Sequence, residues 1–567
     1  MKLVVIGGST GGASAAARAR RLDPRARIII LEKGEHVSYS NCALPYYIGG
    51  VVEDSDELLL MTPQKFKRQH DIEVRTLSEA LAIDRAGKKV RVLDLRSGES
   101  YEESYDKLVL APGARPLLPK NVEGIDGENV FVIRSVNDVV AIRRCLDRPQ
   151  VKSVAVVGGG FIGMETVENL CRAGKRVSVL ARGPQIMAPF DYDMVQLLHK
   201  ELMDNGVELY LNTSPLSIEA GLIRAENKAG ERLDIPADAV ILSAGVAPDT
   251  ALASAAGLEL GESGGIRVDG SFRSSDPDIY AVGDAVELFD AMSRRPGRLS
   301  LAGPAQRQAR VAADSIYGQS HIDRGYIGSS CVRLFSQNAA CTGLNAKNAE
   351  KAGLRFDYVT LYPMDKVGLM PDSNYMALKL LFEKPTGRIL GAQAIGRGAV
   401  EKRVDVIAAM ISLGGTLEDL KELELCYSPV FGTAKDAVNQ AALVGLNVLQ
   451  GRFRQVHVDE VRPLVEKGAY IVDVREEGEY AAGHLRGSHN VPLSQLRERM
   501  DEIPRDIPVY LHCRSSQRSY YAICFLQGMG YNDLYNISGS YLGISLYEYY
   551  NDQTLGREPI LSAYNFD

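Results

Sequence analysis

Two strand–glycine–helix units stand about 150 residues apart in this chain, and few folds hold both. Val4-Val5-Ile6 runs into Gly7-Gly8-Ser9-Thr10-Gly11-Gly12, and Gly11 to Arg21 has the pattern of the helix that follows. Val154-Ala155-Val156-Val157 runs into Gly158-Gly159-Gly160-Phe161-Ile162-Gly163 in the same way. Short β-branched runs alternating with helical segments predict parallel sheets of the doubly wound kind. In such a unit the first glycine permits a tight turn and the last lets helix and strand pack closely. The N–H groups and positive dipole end at the helix start hold a pyrophosphate. Candidate cofactor contacts are therefore Gly7, Gly8, Gly11 and Gly12 in the first unit and Gly158, Gly160 and Gly163 in the second. Ser9 stands where the pattern has its middle glycine.

The residue ending the second strand of each unit meets the ribose. Glu32, 20 residues after Gly12, is an acid placed to accept from ribose hydroxyls. The later unit ends Leu180-Ala181-Arg182, which removes the acid and offers a cation to a 2′-phosphate. Arg182 thus favours NADPH over NADH, or use of both, with a solvated loop charge as the alternative.

Composition excludes several classes. The 567 residues predict about three or four domains at roughly 150 residues each. A net charge of -7 without clustered Lys and Arg gives no nucleic-acid surface. No apolar run approaches the roughly 20 residues that span a bilayer, so no membrane partner is expected. Met1 to Gly8 enters a strand at once with no signal-peptide core, which predicts the cytoplasm. The eight cysteines lack paired CxxC spacing and the histidines lack ligand spacing, so neither a disulfide framework nor a metal site is expected.

The two units, taken with Tyr280-Ala281-Val282-Gly283-Asp284, resemble the two-dinucleotide flavoprotein disulfide reductases. The resemblance spans about residues 1–445. It implies FAD in the first unit, the nicotinamide cofactor in the second, Asp284 on the ribityl chain and Ala302 among the cofactor contacts. Leu110-Ala111-Pro112-Gly113-Ala114 and Ser243-Ala244-Gly245-Val246 resemble the family's crossover strands. The implied organisation is α/β: an FAD-binding domain at 1–150 and 270–325, an NAD(P)H-binding domain at 151–269, both Rossmann-like, and an α+β dimerisation domain at 326–446.

Val37-Ser38-Tyr39-Ser40-Asn41-Cys42-Ala43-Leu44-Pro45-Tyr46 lies where two-cysteine members carry CxxxxC, but Tyr47 replaces the second cysteine. A lone thiol beside a flavin can hold a mixed disulfide, a persulfide or a sulfenic acid. It acts as thiolate, so surroundings that lower its pKa are expected. The stretch is most similar to the coenzyme A disulfide reductase branch, SFxNCGLPY, with Tyr39 for Phe and Ala43 for Gly. That branch has a basic first helix, matched by Arg18 and Arg21, which lie three apart and share a face for the phosphates of coenzyme A (CoA). Ser38 and Asn41 are hydrogen-bonding candidates near the sulfur, and Arg307 resembles a CoA contact. The branch also implies a homodimer in which the partner supplies two tyrosines. Tyr427 matches one; Leu369-Met370-Pro371-Asp372 lacks the other, although Tyr362 and Tyr375 lie close in sequence.

From about residue 457 a new α/β pattern begins. Val472-Asp473-Val474-Arg475, Glu479, Gly483-His484, Asn490-Val491-Pro492 and His512-Cys513-Arg514-Ser515-Ser516-Gln517-Arg518-Ser519 together resemble a single rhodanese domain, over 457–560. The resemblance implies that Cys513 carries sulfur in an anion nest supported by Arg514 and Arg518. Ser516 stands where the loop often has glycine. Residues 446–456 have the pattern of a helix end and linker, and a flexible tether there would give an effective concentration on the order of mM.

The implied activity is NAD(P)H-dependent, FAD-mediated reduction of CoA persulfide, polysulfide or CoA disulfide through Cys42. Two alternatives stand beside it. One is an NAD(P)H oxidase or peroxidase cycling Cys42 through sulfenic acid; the other is a sulfur carrier or sensor without catalytic reduction.

Overall fold

The computed structural model describes residues 1–319 and 323–566. Two compact units divide the chain, Met1–Pro184 with Tyr210–Tyr326, and Gln185–Leu209 with Ile327–Asp567.

In the first unit the expected Val4 run is the centre of a five-stranded parallel sheet. Lys2–Ile6 pairs with Arg27–Leu31 on one side and Lys107–Leu110 on the other, and Ile279–Ala281 and Glu73–Arg75 form the edges. Ile28, Ile29 and Ile30 are fully buried, as continuous apolar strands are when helices cover both faces. The helix Thr10–Leu22 packs against the sheet through Ala15, Ala16 and Ala19, small side chains that also let the helix Ala302–Ile316 approach. A second parallel sheet sets Arg176–Ala181, Ser153–Val157, Ala239–Leu242 and Val130–Val132 side by side. The crossover segments meet as a two-stranded antiparallel ribbon, Ala114–Pro116 with Val246–Pro248.

Among the described residues, the second unit holds two sheets. Ser330–Leu334, Gln337–Gly343, Ile389–Gly396, Met376–Glu383 and Phe356–Leu361 form an antiparallel sheet. The other is parallel, in the order Arg454–Val456, Leu534–Ile537, Val509–His512, Tyr470–Asp473 and His489–Asn490.

The expected flexible tether is corrected here. The helix Ala437–Leu449 runs almost to the strand Arg454–Val456, and Phe453 between them is buried in the C-terminal core beside Val444 and Val448. The C-terminal domain is also clamped to the antiparallel sheet: Tyr362 is buried against Gly539 and Gly543, and His457 stacks on Tyr358 at 3.8 Å. Its last helix, Ser540–Leu555, packs on Tyr192–Asp204. No helix among the described residues is long and apolar enough to cross a membrane.

Candidate functional site

The first glycine turn fits a dinucleotide. Gly7 has φ +95°, and a Cβ there would lie 2.1 Å from the carbonyl oxygen of Ala111. A Cβ on Gly12 would lie 1.8 Å from the carbonyl oxygen of Gly7, so helix and turn close only around glycine. Glu32 accepts from the N–H groups of Gly8 (2.7 Å) and Gly34 (2.8 Å), which fixes the carboxylate beside the turn. Asp284 makes no hydrogen bond among the described residues, and burial holds its carboxyl above the ordinary range. A half-buried, unpartnered carboxyl fits a group that brings hydroxyls, as the ribityl chain of FAD does. Ala302 opens the helix that carries Gln308, whose side chain accepts from the N–H of Gly283 at 2.7 Å and fixes the Asp284 turn.

Cys42 lies in the one-turn 3-10 helix Asn41–Ala43, which leads into the helix Leu44–Ile48. It is exposed and free of any disulfide. Asn41 donates to Ser9 Oγ at 3.2 Å, so the serine in place of the middle glycine ties the phosphate turn to the sulfur segment. Sequence reasoning took Ser9 only as a departure. Ser38 has φ +50° and its backbone N–H donates to the carbonyl of Gly8. The expectation that the surroundings lower the Cys42 pKa is corrected. Partial burial, then the carboxyls of Glu165 and Asp284, push the thiol above its ordinary value. Glu165 was not found from sequence, although it ends the Gly158–Glu165 stretch. Burial raises its pKa to about 7, and the Tyr46 hydroxyl lies 3.5 Å from Oε1.

In the second unit Gly158 has φ +127°, with Ser243 O 2.2 Å from where a Cβ would stand. Gly163 closes on the carbonyl of Gly158, and Gly160 faces open space at the start of the helix Phe161–Arg172. Arg182 is exposed and makes no ion pair or hydrogen bond among the described residues.

In the C-terminal domain the strand Val509–His512 delivers Cys513 to the loop before the helix Gln517–Gly528. Cys513 is buried; its N–H donates to Ser540 Oγ at 3.2 Å, and Ser519 Oγ lies 3.7 Å from its sulfur. Ser516 has φ +74°, the left-handed region that explains a glycine preference. Its hydroxyl bonds Ile537 O at 3.0 Å and Ser540 Oγ at 3.1 Å. The two arginines differ. Arg518 is held by Glu479 through two bonds of 2.6 and 2.7 Å, whereas Arg514 Nη2 is buried without a partner among the described residues. Beneath the loop Arg475 pairs with Asp473 at 2.7 Å and lies 3.8 Å over the ring of Tyr541. Burial lowers the pKa of the adjacent His512.

Residues 1–309 match the family described as pyridine nucleotide-disulphide oxidoreductase, and 330–438 match its dimerisation domain. The chain belongs to that family. Residues 457–546 match the rhodanese-like domain. A coenzyme A disulfide reductase of Staphylococcus haemolyticus is 32% identical over 441 residues, covering 77% of this chain and 98% of that protein. The reduced CoADR-RHD of Bacillus anthracis is 38% identical with a TM-score of 0.93, over 97% of this chain and 98% of that one. An NAD-dependent persulfide reductase from A. fulgidus is 34% identical with a TM-score of 0.90, over 96% and 100%. At 26% identity and a TM-score of 0.75, over 80% and 100%, the chain is also similar to an engineered water-forming NADPH oxidase. That protein carries adjacent Asp→Ala and Ala→Arg replacements.

Family members use FAD and a pyridine nucleotide, and this chain is such an oxidoreductase, with its dimerisation domain supporting a homodimer. Its expected substrate cations do not all stand free. Arg18, expected to share a phosphate-binding face with Arg21, pairs instead with Asp314, Nε to Oδ1 at 2.5 Å, and is largely buried; Arg21 remains exposed. Arg307 donates to Gly325 O at 2.9 Å and lies 3.3 Å from Asp323. Tyr427 is half exposed, and Leu369 is almost fully exposed. Tyr362 is buried under the rhodanese domain and is unavailable to a partner's site, whereas Tyr375 is exposed.

Proposed function

We propose that this oxidoreductase reduces sulfane sulfur carried on a thiol, CoA persulfide or polysulfide ahead of CoA disulfide, with NADPH as donor. One observation carries the reading: a single unbridged thiol in the flavin-type segment shares a chain with a second thiol seated in a complete rhodanese loop. FAD, when bound, supplies the two-electron relay between nicotinamide and sulfur. The Cys42 thiolate attacks the CoA-bearing sulfur of CoA–S–SH, expelling hydrosulfide and leaving a mixed disulfide with CoA. Two electrons from NADPH then break that disulfide to two thiolates. The sum is CoA–S–SH + NADPH + H⁺ → CoA–SH + H₂S + NADP⁺.

The chain's own residues shape this chemistry. The raised Cys42 pKa makes it a better nucleophile once ionised, since intrinsic reactivity rises with basicity. Asn41 and Ser38 hold the segment against the phosphate turn, and Tyr427 comes from the second subunit as a hydrogen-bond donor to the departing sulfur. Arg21 offers the free charge for CoA phosphates, with Arg307 a weaker candidate because Asp323 already faces it. Arg518, although paired with Glu479, also reaches the Cys513 thiol and is the cation beside a persulfide there, and Arg514 adds an unpartnered guanidinium nitrogen on the same loop. The Ala-Arg pair made in the engineered NADPH oxidase recurs as Ala181-Arg182, which supports NADPH. The deciding experiment is anaerobic NADPH and NADH oxidation against CoA persulfide, polysulfide, CoA disulfide, glutathione disulfide and, separately, O₂. Turnover with O₂ alone would replace this proposal with the oxidase reading.

A further inference from the structure

Main-chain bonds bring a second cation to the edge of the nucleotide sheet where Arg182 stands. Gly183 lies two residues past the strand Arg176–Ala181, at the carboxyl edge where a dinucleotide lies on an α/β sheet. Its carbonyl accepts from the N–H of Asn212 at 2.8 Å, and the carbonyl of Asn212 accepts from the N–H of Lys228 at 2.9 Å. Asn212 is left-handed at φ +53°, a conformation that asparagine adopts more readily than most residues. The second of these bonds continues an antiparallel ladder in which Thr213–Glu219 pairs with Gly221–Asn227, Thr213 opposite Asn227. At about 5.5 Å for each hydrogen-bonded step, the Cα atoms of Gly183 and Lys228 are at most about 11 Å apart. The arginine beside Gly183 and the four-carbon stem of Lys228 together span that distance and can close on one anion.

The turn that carries Lys228 is fixed, and its ammonium is free. Asn227 Oδ1 accepts from the N–H groups of Ala229 and Glu231, both at 3.0 Å, and its Nδ2 donates to Glu231 Oε2 at 3.0 Å. The acid of the turn is thus engaged by an amide. Lys228 is exposed, and its side chain makes no ion pair or hydrogen bond among the described residues. In the engineered NADPH oxidase a second new arginine follows the first by six residues, whereas Ala188 stands six after Arg182 here. A phosphate monoester carries close to two negative charges near neutral pH, more than one guanidinium matches.

We propose that Lys228 is a second specificity-determining cation for the 2′-phosphate of NADPH, acting with Arg182 from the adjacent hairpin in place of a cation where Ala188 stands. The inference rests on the proposed function, in which NADPH is the donor. A nucleotide with a free 2′-hydroxyl gains nothing from this ammonium, so Lys228 sets the choice between nucleotides rather than their binding as a class.

The test uses full-length holoenzyme and two probes without a nicotinamide, adenosine 2′,5′-bisphosphate and adenosine 5′-phosphate, titrated by calorimetry. Anaerobic kinetics with polysulfide and either NADPH or NADH run beside it. Lys228→Gln is expected to weaken the bisphosphate about fivefold relative to the monophosphate, the upper range for an exposed ion pair. The NADPH-to-NADH ratio of kcat/KM should fall by the same factor. Lys228→Arg should retain most of the wild-type ratio, and added salt should weaken the bisphosphate less in Lys228→Gln than in the wild type. Wild-type discrimination in Lys228→Gln, with discrimination lost in Arg182→Gln, would overturn the Lys228 assignment and leave NADPH as donor. Equal weakening of both probes would make Lys228 a residue of the hairpin's fold and overturn the assignment too. A wild type that binds the bisphosphate no tighter than the monophosphate would instead remove the NADPH reading on which the proposal rests.

Discussion

Replacing Ser516 separates backbone strain from hydrogen bonding in the loop that carries Cys513. At φ +74° a residue with a Cβ pays about 1 kcal/mol that glycine does not. The Ser516 hydroxyl offsets this with bonds to Ile537 O and Ser540 Oγ, each worth about 1 kcal/mol net. Ser540 in turn accepts from the N–H of Cys513, so the hydroxyls link the loop's strained corner to the sulfur-bearing residue. Ser516→Ala keeps the strain and loses both bonds, which costs about 2 kcal/mol of local stability. Ser516→Gly loses the same bonds but sheds the strain, and should cost about 1 kcal/mol. Hydrogen exchange at the Cys513 N–H reads local opening directly, without assuming that a chain of this size unfolds in one step. The expected acceleration is about thirtyfold for alanine and about fivefold for glycine, since 1.4 kcal/mol is tenfold. Thiosulfate sulfur transfer should fall in the same order. Equal exchange in the two variants, or slower exchange in alanine, would refute the account of strain offset by side-chain bonds.

Cys42→Ser should abolish sulfur-linked NADPH oxidation, at least a hundredfold by kcat, while retaining the yellow flavin absorbance; an unaffected rate removes Cys42 from the chemistry. Arg182→Glu should raise KM for NADPH by about tenfold or more and shift preference toward NADH, and steady-state kinetics with both nucleotides check it. Glu165→Gln should make stability less dependent on pH. The folded carboxyl keeps its proton to about pH 7 while the unfolded one releases it near 4.5, so the wild type loses stability as pH rises through that window. The gap saturates at about 3 kcal/mol above pH 7, with little difference expected at pH 4. The same variant should lower the apparent pKa of Cys42, followed by the pH dependence of iodoacetamide alkylation in holoenzyme; an unchanged profile would contradict the link between the two groups.

Patterns confined to one stretch of chain were legible before the structure. The Val4, Ile28 and Val154 strands, the glycine turns and the rhodanese loop each follow from residues adjacent in sequence, where periodicity and turn chemistry act. Charge assignments were less legible, because a cation's availability depends on what folds against it. Arg18 and Arg21 occupy equivalent helical positions, and only the helix Ala302–Ile316, nearly 300 residues later, brings Asp314 to one of them. Arg514 and Arg518 likewise differ, since Glu479 pairs with only one of them. The Cys42 pKa went wrong for the same reason: Glu165 and Asp284 are far from it in sequence and near it in space.

The rigid seat of the rhodanese domain has a consequence for sulfur handling. A swinging domain needs a linker free to reorient, but residues 450–453 are too few and Phe453 is anchored in the core. Buried Tyr362, wedged against Gly539 and Gly543, and Gln455, which donates to Tyr358 O at 2.8 Å, lock the domain further. Freeing it would expose this apolar contact to water at about 25 cal/mol per Å². Under the proposed function, mobility between Cys513 and an acceptor therefore belongs to the sulfur carrier, and a thiol such as CoA on a flexible chain meets that requirement where a tether in the protein does not.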